Sequence, residues 1–433
     1  MQDTTIISTN ESSLDYYGWV VLLAAVVGMI FSSGPMLYGS IGLFVSHFES
    51  AFGWTRPEIM FALMLNTIAT VISAPICGRL IDRFGTRKVL LPSILAFALL
   101  WASVPYLTGS LTLFYFIIFM IGLLTVGTQS ITYIRIVSAW FNQKRGLAIG
   151  ITASGIGLSY MITPLIVSAT IEQSNWQNAY WVMAAMVLFI SFPLMFFAIR
   201  NSPIKPPGTQ SSDNTISLAD DNYGLTLKQA IRTREFWVVS ITILIFSLLL
   251  TGLIPHVVPI MRELEFDLKT SAQIASVMGL STFLGRVGVG FLVDRIFAPY
   301  VAMAFFGCSA VGFLLISGGI SSNTAYLAAL LLGLGFGAES DLIGYFVSRY
   351  FGLKNFGEIY GYIYGAFLIG AGAGPLLLGF GYDYFNGYQG LLRLFGIVCA
   401  FSCFLFLLLP PFPTLATSQT SLDKPTHSSV SVN

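Results

Sequence analysis

Charge is what this sequence has least of. Of its 433 residues only 9% are Asp, Glu, Lys or Arg, against roughly 25% in an ordinary soluble domain. That is too little to coat a globule of this length, which argues against a soluble enzyme, a nucleic-acid binder and a disordered scaffold. The formal net charge of +1 points to neither a basic nor an acidic partner. Histidine is scarce at three residues and cysteine at four. Cys77, Cys308, Cys399 and Cys403 fall inside or beside apolar runs without metal-ligand spacing, so they read as small packing residues. Residues 1–15 contain no Lys or Arg and so lack the n-region of a secretory signal peptide. No His-rich cluster, triad spacing or nucleotide motif supports an enzyme or a cofactor.

What fills the chain is apolar. Hydrophobic residues make up 55%, with 42 Gly and 36 Phe, a composition suited to helices packed in lipid. A spanning helix needs about 20 mostly apolar residues. Twelve such stretches occur, near 17–46, 57–79, 88–108, 111–138, 146–170, 177–199, 236–261, 270–293, 299–319, 323–347, 357–381 and 388–411. They group into two six-helix bundles, 17–200 and 236–411, joined by a polar linker, 201–235, and flanked by tails at 1–16 and 412–433 that read as disordered. The linker's end, Leu225 to Trp237, is amphipathic and basic and reads as an interfacial helix.

Fifteen of the 21 Lys and Arg fall on one side of these spans, among them Arg79, Arg83, Arg87, Lys88, Lys144 and Arg145. The remaining six are Arg56, Arg135, Arg262, Lys269, Arg286 and Arg393. The positive-inside rule puts the first side in the cytoplasm, and an even number of spans then puts both termini there. The two halves are also copies. Gly78-Arg-Leu-Ile-Asp82-Arg83 recurs as Gly290-Phe-Leu-Val-Asp294-Arg295, an offset of 212, and Trp140-Phe141 recurs as Tyr350-Phe351, an offset of 210. Ser159-x-x-x-Thr163-Pro164 recurs as Gly370-x-x-x-Gly374-Pro375, an offset of 211. Parallel six-helix repeats are a transporter architecture with substrate held between the halves near the midplane.

The run Gly78-Arg79-Leu80-Ile81-Asp82-Arg83-Phe84-Gly85-Thr86-Arg87-Lys88 resembles the signature loop between helices two and three of the major facilitator superfamily. Tyr17-Gly18-Trp19-Val20-Val21 and Trp140-Phe141-Asn142-Gln143-Lys144-Arg145-Gly146 are similar to segments of its monocarboxylate and oxalate/formate transporter group. The resemblance implies an all-α membrane protein of twelve helices in two pseudo-symmetric bundles, with spans one, four, seven and ten lining the central path. It also implies that Gly78, Arg79, Asp82, Arg83, Gly85 and Arg87, with Asp294 and Arg295 in the second copy, form a latch. That latch holds the cytoplasmic side shut and breaks on inward opening. The plainer reading is that these charges merely set orientation.

Ionisable groups inside the spans are costly there and usually face a cavity or a partner. They are Arg135, Arg286, Glu339 and Asp341, with His256 after Pro255 as a fifth. Arg286 follows Gly279 by seven residues, resembling the family segment whose arginine binds carboxylate, a task suited to a permanently charged bidentate fork. Permanent pairing to a carbonyl or another charge is the alternative. Two departures stand out: the family's aspartate one turn earlier is Thr282 here, and its span-one lysine appears as Gly39 beside Tyr38. Arg135 lies about a turn before Trp140, roughly 7 Å at 1.5 Å per residue, so it suits an inner substrate contact or a gate pair with span ten.

Glu339 and Asp341 point roughly 200° apart on a helix, so at most one faces a cavity squarely. A carboxylate shielded from water can exchange a proton near neutrality. This pair is therefore the expected proton carrier, unless it forms a static bridge with Arg135. His256 reads as a hydrogen-bonded packing residue or a proton relay. Tyr38, Asn66, Gln129, Tyr133 and Tyr364 are further polar groups suited to a cavity. Together these residues predict a secondary transporter of a small organic anion, a monocarboxylate, coupled to protons. Substrate contacts fall to Arg286, Arg135, Tyr38, Tyr133 and Thr282, and proton coupling to Glu339, Asp341 and His256. Anion exchange and transport of a larger amphipathic compound, a drug or siderophore, are the alternatives; a receptor or membrane enzyme lacks support. The partners expected are the anion, protons and the bilayer, with no nucleic acid or cofactor, and the functional unit is a monomer. Compact loops and short tails favour a bacterial inner membrane.

Overall fold

Backbone groups in hydrocarbon have no water to bond, so a spanning segment must satisfy its own. The apolar runs do this as helices. The computed structural model describes residues 17–141, 144–199, 224–318, 321–352 and 354–412. The tail 1–16, most of the linker 201–235, the tail from 413 onward, and Asn142 and Gln143 lie outside the described residues.

Among the described residues, eleven helical stretches are long and apolar enough to cross a bilayer. They are span 1 (Tyr17–Phe52), span 2 (Arg56–Phe84), span 3 (Thr86–Tyr106), span 5 (Gly146–Gln173), span 6 (Trp176–Ala198), span 7 (Arg234–Glu263), span 8 (Leu268–Val293), span 9 (Ala298–Ser317), span 10 (Ser322–Phe351), span 11 (Phe356–Phe385) and span 12 (Gln389–Leu408). Span 4 comes in pieces: Leu111–Leu124, a tight turn Val126–Thr128, then Ser130–Ser138. Polar caps start several of them. Thr55 and Glu58 form a reciprocal capping box at span 2, Asn175 accepts from the Asn178 amide at 2.8 Å, and Asp267 caps Thr270 at 3.0 Å. Each satisfies an orphan donor of a first turn. The Thr270 hydrogen bonds hold the exposed Asp267 carboxyl below the usual carboxylate range.

Spans 2, 10 and 11 run four or five residues past their expected ends, and two further boundaries differ for a physical reason. Span 1 runs on past Ser46 and His47 to Phe52, where Gly53 takes a left-handed φ of 70°. Its last turns are buried by aromatics, with Phe48 stacking on Phe44 and Phe52 and meeting Trp54 and Trp176 edge-on or tilted. The expected interfacial helix over Leu225–Trp237 is one turn, Leu227–Ala230, and span 7 already begins at Arg234. Thr226 and Thr233 each cap a following amide, which splits the run into two starts.

Spans 1, 4 and 7 are all interrupted, whereas span 10 is one unbroken helix of 30 residues. Span 1 breaks at Phe31 and Ser32. Span 7 loosens to a π-type turn at Ser247–Thr251 and tightens at Ile254–His256 around Pro255. The breaks in spans 1 and 4 stitch together: the Ser33 amide donates to Thr128 Oγ1 at 3.3 Å, and the Ser33 and Thr128 hydroxyls lie 3.0 Å apart. Gln129 reaches Ser33 Oγ at 3.4 Å. The Ser33 amide freed by the break in span 1 is thus satisfied by a hydroxyl at the break in span 4.

Two apolar cores result. One is built from residues 21–199, joined by Val258 and Ala272, and the other from residues 230–409. Span 8 lies along spans 5 and 10, and span 2 along span 11. The halves meet closely on the face that carries Phe52, Arg56 and Phe385. A Cβ at Gly379 would stand 3.1 Å from Pro57 Cα, and one at Gly372 would stand 3.2 Å from Thr67. Toward the other face, which carries Arg79, Arg83 and Arg87, glycines Gly78, Gly146, Gly150, Gly290, Gly361 and Gly365 have open space at the Cβ position. A cavity of ≈ 510 Å³ opens there, walled by Gly146 of span 5 and by residues of spans 8 and 10, Asp341 among them. The molecule is open at its basic face and closed at the opposite one.

Candidate functional site

Span 8 packs so tightly on span 10 that glycine is required on both. A Cβ at Gly285 would stand 2.6 Å from the Leu334 carbonyl, and one at Gly337 would stand 2.9 Å from the Arg286 amide. This close approach brings the Arg286 side chain, only 8% exposed, alongside the Glu339–Asp341 turn. Arg286 donates from Nη2 to Ser340 Oγ at 2.9 Å and from Nη1 to Asp341 Oδ1 at 3.3 Å. Its Nε is buried without a hydrogen-bond partner. The fork is therefore half used by its own helix neighbour. Asp341 is 36% exposed and lines the open cavity.

Glu339 turns the other way. It is 1% exposed, accepts one hydrogen bond from Thr251 Oγ1 at 3.3 Å, and leaves Oε1 buried with no partner. Thr251 sits at the π-type turn of span 7. The two carboxylates separate as helix geometry requires, Asp341 to the cavity and Glu339 into the seam with span 7.

Aromatics complete the surroundings. Phe356, Tyr360, Tyr364 and Phe367 stack up one side of span 11, with successive centroids 5.6, 5.6 and 5.2 Å apart. Tyr160 of span 5 meets Phe336 of span 10 edge-on at 5.6 Å. Thr282 is buried, donates to the Met278 carbonyl of its own helix at 2.8 Å, and lines a small void of ≈ 20 Å³ between the halves with Tyr160 and Phe336.

Other residues singled out from sequence lie elsewhere. The Tyr38 hydroxyl is 3.0 Å from Thr67 Oγ1 and 3.3 Å from the Ala371 carbonyl of span 11, so it bridges the halves on the closed side. Tyr133 is fully buried against Gly28 of span 1 and its hydroxyl has no partner. Asn66 ties span 2 to the Ile118 carbonyl at 3.1 Å. Arg135 does not reach span 10: it pairs with Asp82 of span 2 at 2.6 Å, both side chains more than half exposed. The open cavity parts the two halves at this level, and the pair forms within one half. Asp82 thus pairs across to span 4 rather than with the basic residues of its own loop. Arg87 bonds the Phe196 carbonyl at 2.8 Å and Arg83 lies over Phe84, while Gly85 takes a φ of 85° that favours glycine. In the second copy Asp294 lines the cavity mouth, and Arg295 bonds the Phe291 carbonyl at 2.9 Å.

His256 is fully buried, with Nε2 2.8 Å from the Pro375 carbonyl and Nδ1 2.7 Å from the Tyr388 hydroxyl. A carbonyl only accepts, so Nε2 carries the proton and a neutral ring accepts from Tyr388. Among the described residues no group of three or more His, Cys, Asp or Glu comes together as a metal site. Sequence reasoning missed Ser340, Thr251, Tyr160 and Tyr360. The four-residue spacing of Phe356, Tyr360 and Tyr364 was the available signal, since it places them on one helix face.

The sequence pattern of the Major Facilitator Superfamily matches residues 20–361. Monocarboxylate transporter 13 of Bos taurus is 24% identical over 334 residues, covering 74% of this chain and 72% of that protein. The oxalate:formate antiporter of Oxalobacter formigenes is 26% identical over 298 residues, covering 68% and 67%. Among solved structures, a bacterial homologue of the human lysosomal transporter Spinster, in an inward-facing and occupied conformation, superposes with a TM-score of 0.67 at 12% identity. That superposition covers 90% of this chain and 96% of the other.

Proposed function

The chain belongs to the Major Facilitator Superfamily, a multi-pass membrane transporter and not an enzyme, and from that premise we propose that it carries a small monocarboxylate together with a proton. The observation that carries this reading is Arg286. Its guanidinium lies in the dry seam between spans 8 and 10, held by Ser340 and by Asp341, and Asp341 lines the open cavity, so a ligand carboxylate entering there reaches the arginine by displacing Asp341. Carboxylate and guanidinium match as bidentate partners, and a substrate that displaces Asp341 keeps the arginine neutralised. Glu339, buried with one free oxygen, is the proton site: a charge there has no counter-ion in contact, so a proton is the simplest means of neutralising it. Two relatives named for carboxylates support the substrate class.

In this reading the basic face is cytoplasmic by the positive-inside rule, both termini lie there, and the conformation described is inward-open. The home of the protein is a bacterial inner membrane and its working unit is a monomer. Arg135 with Asp82 guards the cytoplasmic mouth, Asp341 holds Arg286 between transport events, and Tyr38 closes the far side.

Reconstitution in liposomes with a trapped pH dye tests the proposal. Inward gradients of lactate, formate, oxalate, amino acids and cations are applied in turn. Uptake of a monocarboxylate with internal acidification is the expected result. Uptake that requires a trapped anion and moves no proton makes the protein an exchanger. Uptake of amphipathic drugs or cations without any carboxylate overturns the substrate class.

A further inference from the structure

The closed face holds a cluster that no substrate argument uses. Arg56 begins span 2, and its side chain is only 14% exposed. Its guanidinium carbon lies 3.7 Å from the ring centre of Tyr382 and 5.3 Å from that of Tyr388, both from the other half of the molecule. Two carboxylates flank it. Glu49 of its own half accepts from Nε at 2.8 Å, whereas Glu263 of the opposite half stands 3.9 Å from Nη1, which has no hydrogen-bond partner. Glu263 is itself fixed, because the Tyr388 amide donates to it at 3.0 Å. His256 anchors the Tyr388 hydroxyl from beneath.

We propose that Arg56 is the lock of this face: when the face is closed, Glu263 and the two tyrosine rings share it with Glu49, and when the face opens it is handed back to Glu49 alone. The asymmetry of the distances is the basis. The bond to Glu49 lies within one half and survives separation of the halves. The loose pair with Glu263 and the ring contacts are the only parts that closure adds. Arg56 therefore never travels without a counter-ion, and the lock is weak enough to break in each cycle. Ring and ion-pair contacts of this kind, partly shielded from water, bias an equilibrium on the order of tenfold.

The hand-over predicts opposite signs for the two glutamates. Arg56→Gln and Glu263→Gln remove what closure adds, so each raises the population open at this face on the order of tenfold. Glu49→Gln removes a bond made in both forms, but only the closed form offers Glu263 and the rings in its place, so it lowers that population several-fold. Spin labels on Thr108→Cys and Asn323→Cys, exposed on this face in the two halves, read the populations by pulsed electron resonance without substrate. The measurement uses the full chain with its native cysteines replaced, and so stands apart from whether a carboxylate is carried. The expected result is a longer-distance component that grows in Arg56→Gln and Glu263→Gln and shrinks in Glu49→Gln. Unchanged distances in both Arg56→Gln and Glu263→Gln overturn the lock. A Glu49→Gln shift in the same direction as Arg56→Gln overturns the hand-over. If the wild type shows one distance, a single distance in Arg56→Gln and Glu263→Gln as well refutes the proposal.

Discussion

Replacing Arg286 by glutamine removes the guanidinium that holds Asp341 at the cavity wall. Two quantities follow from its surroundings. The partner left behind, Asp341, is 36% exposed at the cavity wall, so water takes over its solvation and the loss of stability is about 1 kcal/mol or less. In the proposed reading substrate binding has no such substitute, because the arginine side chain is only 8% exposed and a ligand carboxylate seated on it gives up most of its water. Truncating one member of a desolvated charge pair costs about 2 kcal/mol or more, which is a rise in KM of roughly 30-fold. Lysine at the same position keeps the charge but not the fork, and an intermediate KM is expected. Asp341→Asn acts in reverse on stability: it keeps an acceptor but takes the counter-charge from a nearly dry guanidinium and costs about 1.5–3 kcal/mol, the range for a hydrogen bond to a charged group. The assay is initial uptake in liposomes at matched protein content, with thermal unfolding in detergent alongside. Arg286→Gln transporting a monocarboxylate with unchanged KM refutes the assignment. Arg286→Gln proving less stable than Asp341→Asn refutes the account of their exposures.

Glu339→Gln is expected to abolish the internal acidification that accompanies uptake while anion-for-anion exchange continues; a dye signal equal to wild type sinks its role as proton site. Asp82→Asn should slow uptake several-fold with substrate binding preserved, and a stability loss of about 1 kcal/mol or less, because the pair with Arg135 is exposed. The swap Asp82→Arg with Arg135→Asp should restore uptake if the pair itself matters, and failure of that rescue assigns the two residues separate tasks. His256→Phe strands the Tyr388 hydroxyl, at about 1–3 kcal/mol for an unsatisfied buried group, so the melting temperature falls. A loss of proton coupling with full stability makes His256 a relay instead.

The spans and the internal repeat were legible because lipid imposes length and apolarity on every helix, and one signature loop occurs twice. That Arg286 meets a carboxylate of span 10 was half legible. Two charges in hydrocarbon need partners, but helix periodicity alone does not tell Glu339 from Asp341, and the packing of Gly337 on span 8 decides it. The break in span 1 has a local signal in Gly34-Pro35, since proline cannot donate to the Phe31 carbonyl, whereas the break in span 4 is marked by Gly127 alone. Ser33 and Thr128 are ordinary helix residues until each finds the other 95 positions away. Arg56 read as one more charge outside the membrane, since Tyr382 and Tyr388 arrive more than 300 residues later. The partners of His256 lie 119 and 132 positions away.

The stitch between spans 1 and 4 has a further consequence for how the amino-terminal bundle deforms. Because the Ser33 amide of one break rests on the Thr128 hydroxyl of the other, the two helices cannot part there without stranding a polar group in oil. The two bends act as one mechanical joint. Changing Thr128 to alanine strands the Ser33 amide, while Pro35, which cannot donate to the Phe31 carbonyl, keeps span 1 bent in either case. Proline thus fixes the bend, and the hydroxyl of the neighbouring helix fixes where it points.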